Sequence, residues 1–187
     1  MGCYRYKLGS PEEIARFRGD FHIPDDVNLR LDNELDGYAL YNGEMPFYLV
    51  TIVEGGVRFP LHPLLRECLS RWRLCPCQML PNAHKIIMGV VELNRLLGTD
   101  LGIHDIEYCY DLVKSPNEET YYLRAKKDKE CLINYLEDSN KYAGDDRVFV
   151  SGNWEFGALP EEQRVFRVPT EFGRPPSTSA ESLILVT

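Results

Sequence analysis

Two consecutive stretches of helical periodicity, separated by Cys75-Pro76-Cys77, constrain the fold of this chain more than any other feature. In the first stretch, from Leu64 to Leu74, apolar residues recur at spacings of three and four, as on one face of a helix. The second stretch runs from Asn82 to Leu97 with the same periodicity, and Gly98 follows where a left-handed C-cap is expected. These segments predict an αα-hairpin whose facing apolar stripes form the core.

The N-terminal part of the chain predicts a further helix from its capping residues. Ser10-Pro11-Glu12-Glu13 combines an N-cap hydroxyl, a proline at the first helical position and a glutamate three residues after the cap. In this arrangement the Ser10 hydroxyl accepts from the Glu13 amide, and the Glu13 carboxylate accepts from the Ser10 amide. The helix is expected to end near Arg18-Gly19, before a turn at Ile23-Pro24-Asp25-Asp26.

The remaining segments predict a small β component and one short helix. The runs Thr120–Ala125 and Arg147–Ser151 are rich in aromatic or β-branched residues and are typical of strands, whereas Asp105–Val113 is typical of a short helix. Phe47–Val53 fits either a strand, from its β-branched residues, or a helix that stops at Gly55-Gly56. We therefore predict a helix-dominated α+β fold, with a central αα-hairpin core and a small two-stranded antiparallel β element.

Chain length and proline distribution predict the domain organisation. A chain of 187 residues fits one domain with appendages, since domains mostly span about 100–200 residues. We assign residues 10–156 to a single globular domain and residues 1–9 to an N-terminal arm. Residues 157–187 contain four of the twelve prolines and the sequence Pro-Pro-Ser-Thr-Ser, which is typical of a disordered tail.

Charge and cysteine content indicate an intracellular chain with no basic signature. The formal net charge is −8, and nucleic-acid binding depends on Lys and Arg that neutralise phosphates, so a nucleic-acid partner is not indicated. Six cysteines are present, but the N-terminus lacks an apolar run of signal-peptide length, so free thiols are expected rather than disulfides. Because no stretch approaches the ~18 apolar residues of a membrane helix, we expect a protein of the nucleus or cytoplasm with no membrane partner.

Several motifs follow one another in an order that is similar to a known family. They are Gly56–Pro63, Pro81-Asn82-Ala83, Leu96-Leu97-Gly98, Tyr121-Tyr122 and Phe149–Trp154. In order and spacing, residues 56–156 resemble the gypsy-type transposon domain of plants. The resemblance implies a domain carried by retroelement-like plant genes, upstream of coiled-coil or gag-like regions, and it favours the helical alternative for Phe47–Val53. None of these motifs is catalytic, so the resemblance implies lineage rather than activity.

The carboxylates do not match the motifs that retroelement chemistry requires. A polymerase needs a Tyr-x-Asp-Asp hairpin, whereas Tyr142-Ala143-Gly144-Asp145-Asp146 has one residue too many before its aspartates and is interpreted as a turn. An aspartic protease needs Asp-Thr-Gly or Asp-Ser-Gly, and Asp36-Gly37 lacks the hydroxyl residue. A DDE-type transposase needs three carboxylates that converge on metal ions, and no three stand out among the 29 acidic residues.

Thiols and imidazoles give the sharpest metal and nucleophile hypotheses. A zinc site with three thiolates and one imidazole would use Cys68, Cys75, Cys77 and His84. The spacing of this set matches no common structural zinc site, and Cys68 lies on an apolar helical stripe. The candidate bases for a cysteine nucleophile are His62, His84 and His104. No sequence pattern pairs any of them with a cysteine.

Two further features are interpreted as structural. The basic segment Arg124–Lys129 is short and is interrupted by Asp128, so a solvated turn is favoured over a phosphate-binding site. Trp72 and Trp154 are interpreted as core or edge packing, although an exposed tryptophan would mark a partner surface.

These observations predict a non-enzymatic domain of retroelement origin that acts in protein–protein association or gag-like assembly. We assign no catalytic, cofactor-binding or metal-ligating residue, no cofactor, and a protein partner or self-association as the expected interaction. A nucleic-acid-associated transposition factor is the first alternative. A degenerate gene fragment without selected function is the second.

Overall fold

The computed structural model describes residues 10–31, 43–116, 119–134, 136 and 147–176. The helices are α1 (Pro11–Asp20), α2 (Leu49–Val53), α3 (Pro63–Trp72), α4 (Pro81–Leu97) and α5 (Ile103–Cys109). The strands are β1 (Val27–Leu31), β2 (Met45–Tyr48), β3 (Tyr110–Lys114), β4 (Tyr121–Ala125) and β5 (Arg147–Gly152). Short 3₁₀ turns occupy Pro76–Gln78 and Glu161–Gln163.

The strands form two separate antiparallel sheets. One sheet has the order β1-β5-β2, with Val150 of β5 opposite Leu29 on one side and Met45 on the other. The other is the β3–β4 hairpin, in which Leu112 lies opposite Leu123. Because β5 is central in its sheet, three consecutive residues of it are buried, namely Val148, Phe149 and Val150.

The predicted helix-dominated fold with one two-stranded β element is wrong. The chain is a mixed α/β structure, 39% helical and 18% strand, with sheets of three and two strands. The predicted strands Thr120–Ala125 and Arg147–Ser151 do not pair with each other, because each finds its partners elsewhere in the chain. β1 was not predicted, although Asn28 and Arg30 alternate with apolar residues as in a strand, because the polar, turn-rich residues that follow it dominate this part of the sequence.

Two segments contain both a strand and a helix. Phe47–Val53, for which a strand and a helix were alternatives, divides between them, since β2 ends at Tyr48 and α2 begins at Leu49. The helix predicted over Asp105–Val113 ends at Cys109, and β3 continues from Tyr110 without a loop. In both places β-branched and aromatic residues adjoin helix-compatible ones, so pairing with another strand, β5 for β2 and β4 for β3, decides where the helix and the strand meet.

The caps of two predicted helices are confirmed. At α1, Ser10 Oγ accepts from the Glu13 amide at 3.2 Å, and Glu13 Oε2 accepts from the Ser10 amide at 3.1 Å. At the end of α4, Gly98 has φ of 65° and donates its amide to the Asn94 carbonyl at 2.9 Å. Both caps are local interactions, which is why the sequence predicts them.

A single apolar core joins both sheets to the helices. α4 packs against the β3–β4 hairpin, and its Asn82 side chain donates to the Leu123 carbonyl at 2.7 Å. The Phe47 ring on β2 of the three-stranded sheet lies edge-on to the Phe59 and Trp154 rings, with ring centres 5.3 and 5.7 Å apart, respectively. The core is therefore shared between helices and strands rather than formed by the α3–α4 pair alone.

Residues 157–176 pack along this core. Val168 is buried, and Gly173 exchanges two hydrogen bonds with the Gln78 side chain, at 2.8 and 2.9 Å. Residues 1–9 and 177–187 lie outside the described residues, so the division into arm, domain and tail stays a prediction. Within the described part of the chain, no helix has the length and apolar character needed to cross a membrane.

Candidate binding groove

The proposed zinc ligands do not come together as a site. Cys75 and Cys77 place their Sγ atoms 3.3 Å apart in the 3₁₀ turn after α3, and both thiols are buried. Cys68 is buried on α3, where burial strongly raises the pKa of its thiol. Across residues 10–31, 43–116, 119–134, 136 and 147–176, no three His, Cys, Asp or Glu side chains form a group able to hold a metal ion.

The three candidate histidines occupy different environments. His62 is the N-cap of α3, where its Nδ1 accepts from the Leu64 amide at 3.2 Å. His84 is fully buried on α4, and His104 is exposed on α5. In the described part of the chain, no hydrogen bond joins any of them to a cysteine, so the geometry assembles no thiolate–imidazole pair.

His84 makes folding sensitive to acid. Its Nδ1 lies 3.3 Å from the Leu80 carbonyl, which can only accept, so Nδ1 carries the proton and the buried Nε2 has no partner. Burial lowers the pKa of His84 to about 4, from an ordinary value of 6.5. The unfolded chain therefore takes up the proton first as pH falls. The contribution of neutral His84 to the free energy of unfolding is fully present above pH 6.5, and it is lost as pH drops towards 4.

We expect His84→Leu to flatten this acid dependence. Between pH 6.5 and pH 4 the wild-type chain should lose about 3 kcal/mol of unfolding free energy from this group alone, and the variant should lose none from it. Urea unfolding measured across this pH range checks the difference between the two profiles. His104→Leu, at an exposed position on α5, is the control and should follow the wild-type profile; parallel profiles for wild type and His84→Leu would contradict the assignment.

The other features singled out in the sequence have structural contacts. In the basic segment, Arg124 and Lys126 lie 3.8 and 3.9 Å from the Asp111 carboxylate, and Lys129 donates to the Tyr108 hydroxyl. Trp72 is buried, and its indole N–H donates to Glu107 Oε1 at 3.1 Å. Trp154 is also buried. The motifs Tyr142–Asp146 and Asp36-Gly37 lie outside the described residues.

An open groove of about 380 Å³ lies where the loop before α3 meets the segment after β5. Its lining residues are Arg58, Pro60, Leu61, His62, Pro63, Arg66, Met88, Phe156 and Leu159. We call it the arginine groove. Its inner surface is mainly apolar, and two arginines and one histidine are placed around it.

Backbone contacts fix the two sides of the arginine groove to each other. The Leu61 amide donates to the Trp154 carbonyl at 3.0 Å. Gly157, at φ of 58°, approaches Pro60 so closely that a Cβ at this position would lie 2.9 Å from Pro60 Cγ. The motifs Gly56–Pro63 and Phe149–Trp154, which are far apart in sequence, are thus neighbours in space.

Arg58 is held in place on one side of the groove. Its Nη1 donates to the Ile52 carbonyl at 2.8 Å and to the Val57 carbonyl at 2.7 Å, and its guanidinium lies 4.9 Å from the centre of the Phe21 ring. Burial lowers the pKa of Arg58, but a guanidinium in a protein remains charged. Among the described residues, its Nε and Nη2 have no hydrogen-bond partner and it forms no ion pair.

Arg66 forms the inner end of the groove. Its side chain is buried, its guanidinium lies 4.4 Å from the centre of the Phe156 ring, and its Nη1 donates to the Val165 carbonyl at 3.0 Å. Arg66 Nε is buried without a partner in the described part of the chain. The nearby Glu155 has a pKa raised by burial, and its Oε1 accepts from the Val168 amide. Burial and the charge of Arg66 both lower the pKa of His62.

The sequence offered little sign of this groove. Two arginines, Arg58 and Arg66, precede the core helix α4, and two others, Arg164 and Arg167, follow β5. The guanidinium groups of Arg66, Arg164 and Arg167 nevertheless lie within 6 Å of the Phe156 ring centre. Because these arginines come from distant parts of the sequence, they form no run of basic residues that the sequence would show. The net charge of −8 also gives no indication of a basic cluster. The only available signal was the Gly56–Pro63 motif, which was interpreted as family resemblance.

Comparison of the chain with known protein families, with curated proteins and with solved structures found no match. The resemblance to the plant gypsy-type transposon domain therefore stays a prediction. What the chain does must be inferred from the arginine groove itself.

Proposed function

We propose that this chain is a non-enzymatic domain of retroelement origin that binds another protein through the arginine groove. The observation that carries the proposal is the combination of apolar walls with arginines that the fold holds in place. Protein interfaces are enriched in arginine and favour apolar pockets with a polar rim. Arg58 suits such a rim because two backbone carbonyls already orient it, so little side-chain freedom is lost when a partner binds.

The size of the groove suits one or two side chains of a partner. Its volume of about 380 Å³ is near the lower end of the ~300–1,000 Å³ typical of small-molecule sites. One or two partner side chains could fill it. A short linear segment would then continue over the exposed rim residues, among which are Pro60 and Pro63.

Four buried thiols, those of Cys68, Cys75, Cys77 and Cys109, support a non-enzymatic role. The thiolate is the reactive form of cysteine, and burial raises the pKa of Cys68 and Cys109. A hydrogen bond joins the Cys75 and Cys77 thiols, and it raises the pKa of Cys77 and lowers that of Cys75. Cys75 itself is 2% exposed, so a substrate has little access to it.

Selection from a displayed library of random short peptides tests the proposal. We expect the wild-type chain to enrich peptides from the library, and we expect the Leu159→Asp variant to bind these peptides about tenfold or more weakly. The reason is that the new carboxylate on an apolar wall must be desolvated when a peptide fills the groove. Leu96→Asp is the matched control, since Leu96 is 63% exposed near the end of α4 and does not line the groove. Failure to enrich any peptide, or equal binding to Leu159→Asp, would rule out the proposal.

Binding of nucleic acid is the second candidate, and the arginine cluster around Phe156 is the observation that favours it. Arg164 and Arg167 are both paired with Glu161, which reduces the charge they offer to a phosphate backbone. A gel shift at physiological salt separates the two candidates. Binding that disappears as salt rises to that level would be electrostatic and non-specific.

A further inference from the structure

The walls of the arginine groove set the first requirement for its occupant. Pro60, Met88 and Leu159 present apolar surface from the loop before α3, from α4 and from the segment after β5. Met88 and Leu159 are each partly exposed. Covering apolar surface of this kind contributes about 25 cal/mol per Å² removed from water, so an apolar side chain is favoured inside the groove.

The N-terminal end of α3 does not supply the positive potential of the groove. Pro63 has no amide hydrogen, and His62 Nδ1 already accepts from the Leu64 amide. The Arg66 amide is bonded to the His62 carbonyl. Since Nδ1 of His62 is the acceptor, a neutral His62 carries its proton on Nε2 and can donate from there. The donors considered for a ligand are therefore the side chains of Arg58 and His62.

Charges near the groove do not cancel. Four arginines contribute positive charge, namely Arg58, Arg66, Arg164 and Arg167. Two carboxylates oppose them, Glu155 beside Arg66 and Glu161 paired with Arg164 and Arg167. Among these six groups the arginines outnumber the carboxylates by four to two, in a chain whose net charge is −8, and an excess of positive charge attracts an acidic partner.

We infer that the arginine groove binds a short protein segment in which an apolar side chain is flanked by an acidic residue. The apolar side chain enters between Pro60, Met88 and Leu159. The carboxylate lies at the rim, where it accepts from the unused donors of Arg58 and from His62 Nε2. The inference rests on the proposed protein-binding function and specifies the partner's chemistry.

A phosphate group alone fits the groove less well than such a segment. It would meet Arg58 at the rim but leave the apolar walls uncovered, whereas an acidic and apolar segment covers both. Two unused donors on one side of the Arg58 guanidinium match the two oxygens of a carboxylate and equally those of a phosphate, so the apolar walls decide between them.

The test is the composition of the peptides that the groove selects. From a displayed library of random short peptides, wild-type chain should enrich those with Asp or Glu next to Leu, Met or Phe. A synthetic version of an enriched peptide in which the acidic residue is changed to its amide should bind about fivefold more weakly. A version in which it is changed to lysine should bind more than about tenfold more weakly. Fluorescence anisotropy at low and at physiological salt measures these affinities.

Variants of the chain locate the effect. Arg58→Gln should reduce the preference for the acidic peptide over its amide version from about fivefold to less than about twofold, because the rim charge is lost. Arg95→Gln is the matched control, since Arg95 is exposed at the far end of α4 and pairs with Glu92. If Arg58→Gln is less stable than wild type, charge reversal in the peptide on the wild-type chain still tests the preference for an acidic residue.

Different results would overturn the acidic partner and the protein-binding function. Groove-dependent peptides that are neutral or basic would overturn the acidic partner and leave the protein-binding function intact. An acidic preference that persists unchanged in Arg58→Gln would also overturn the inference. Absence of any peptide sensitive to Leu159→Asp would overturn the binding function itself.

Discussion

Replacement of Phe47 by alanine is expected to lower the free energy of unfolding by about 4 kcal/mol, because it removes a buried ring from a tightly packed core. Phe47 is 1% exposed on β2 and contacts two further aromatic rings edge-on, those of Phe59 and Trp154. These two residues adjoin Pro60 and Glu155, so the cavity would also loosen the base of the arginine groove.

Urea unfolding at neutral pH measures the loss. Phe172→Ala is the matched control, since the same atoms are removed from a side chain that is 69% exposed. We expect it to change stability by less than about 0.5 kcal/mol. Similar losses in the two variants would mean that Phe47 does not occupy the packed position described here.

Replacement of Gly152 by alanine is the second substitution with a large expected effect. Gly152 ends β5 at φ of 82°, and a Cβ at this position would lie 2.2 Å from the Asp26 carbonyl oxygen. That carbonyl also accepts from the Asn153 amide at 3.1 Å, so it cannot move away without breaking a contact between the residue before β1 and the residue after β5. We expect a loss of about 3 kcal/mol, from backbone strain together with the steric clash.

Gly98→Ala separates these two contributions. Gly98 also has a positive φ, 65°, but apart from its chain neighbours no atom of the described residues lies within 4 Å of the position its Cβ would take. At Gly98 the substitution costs only the strain of a left-handed backbone, so we expect the free energy of unfolding to fall by about 1 kcal/mol. Thermal or urea unfolding compares the variants, and a loss in Gly152→Ala no greater than in Gly98→Ala would show that the close approach to Asp26 is absent.

Local interactions account for what the sequence predicted correctly. The Ser10–Glu13 capping box and the Gly98 C-cap each involve residues no more than four positions apart. The apolar periodicity of α3 and α4 is likewise a property of neighbouring turns. Such features need no knowledge of the rest of the chain.

Strand pairing could not be predicted in the same way. β5 pairs with β1 and β2, which lie about a hundred residues earlier, although β4 is the nearer strand in sequence. Strands carry no local mark of their partners, because the hydrogen bonds that define a sheet are made between distant backbones. The predicted pairing of Thr120–Ala125 with Arg147–Ser151 failed for this reason.

The sequence by itself determined α1, α3 and α4, the caps of α1 and α4, and the Gly56–Pro63 motif that precedes α3. Only the tertiary structure placed that motif beside Trp154 and Phe156, and brought Arg58, Arg66, Arg164 and Arg167 to one region of an acidic chain. The physical reason is that a helix is stabilised by contacts within a few residues, whereas a groove exists only where distant segments pack together.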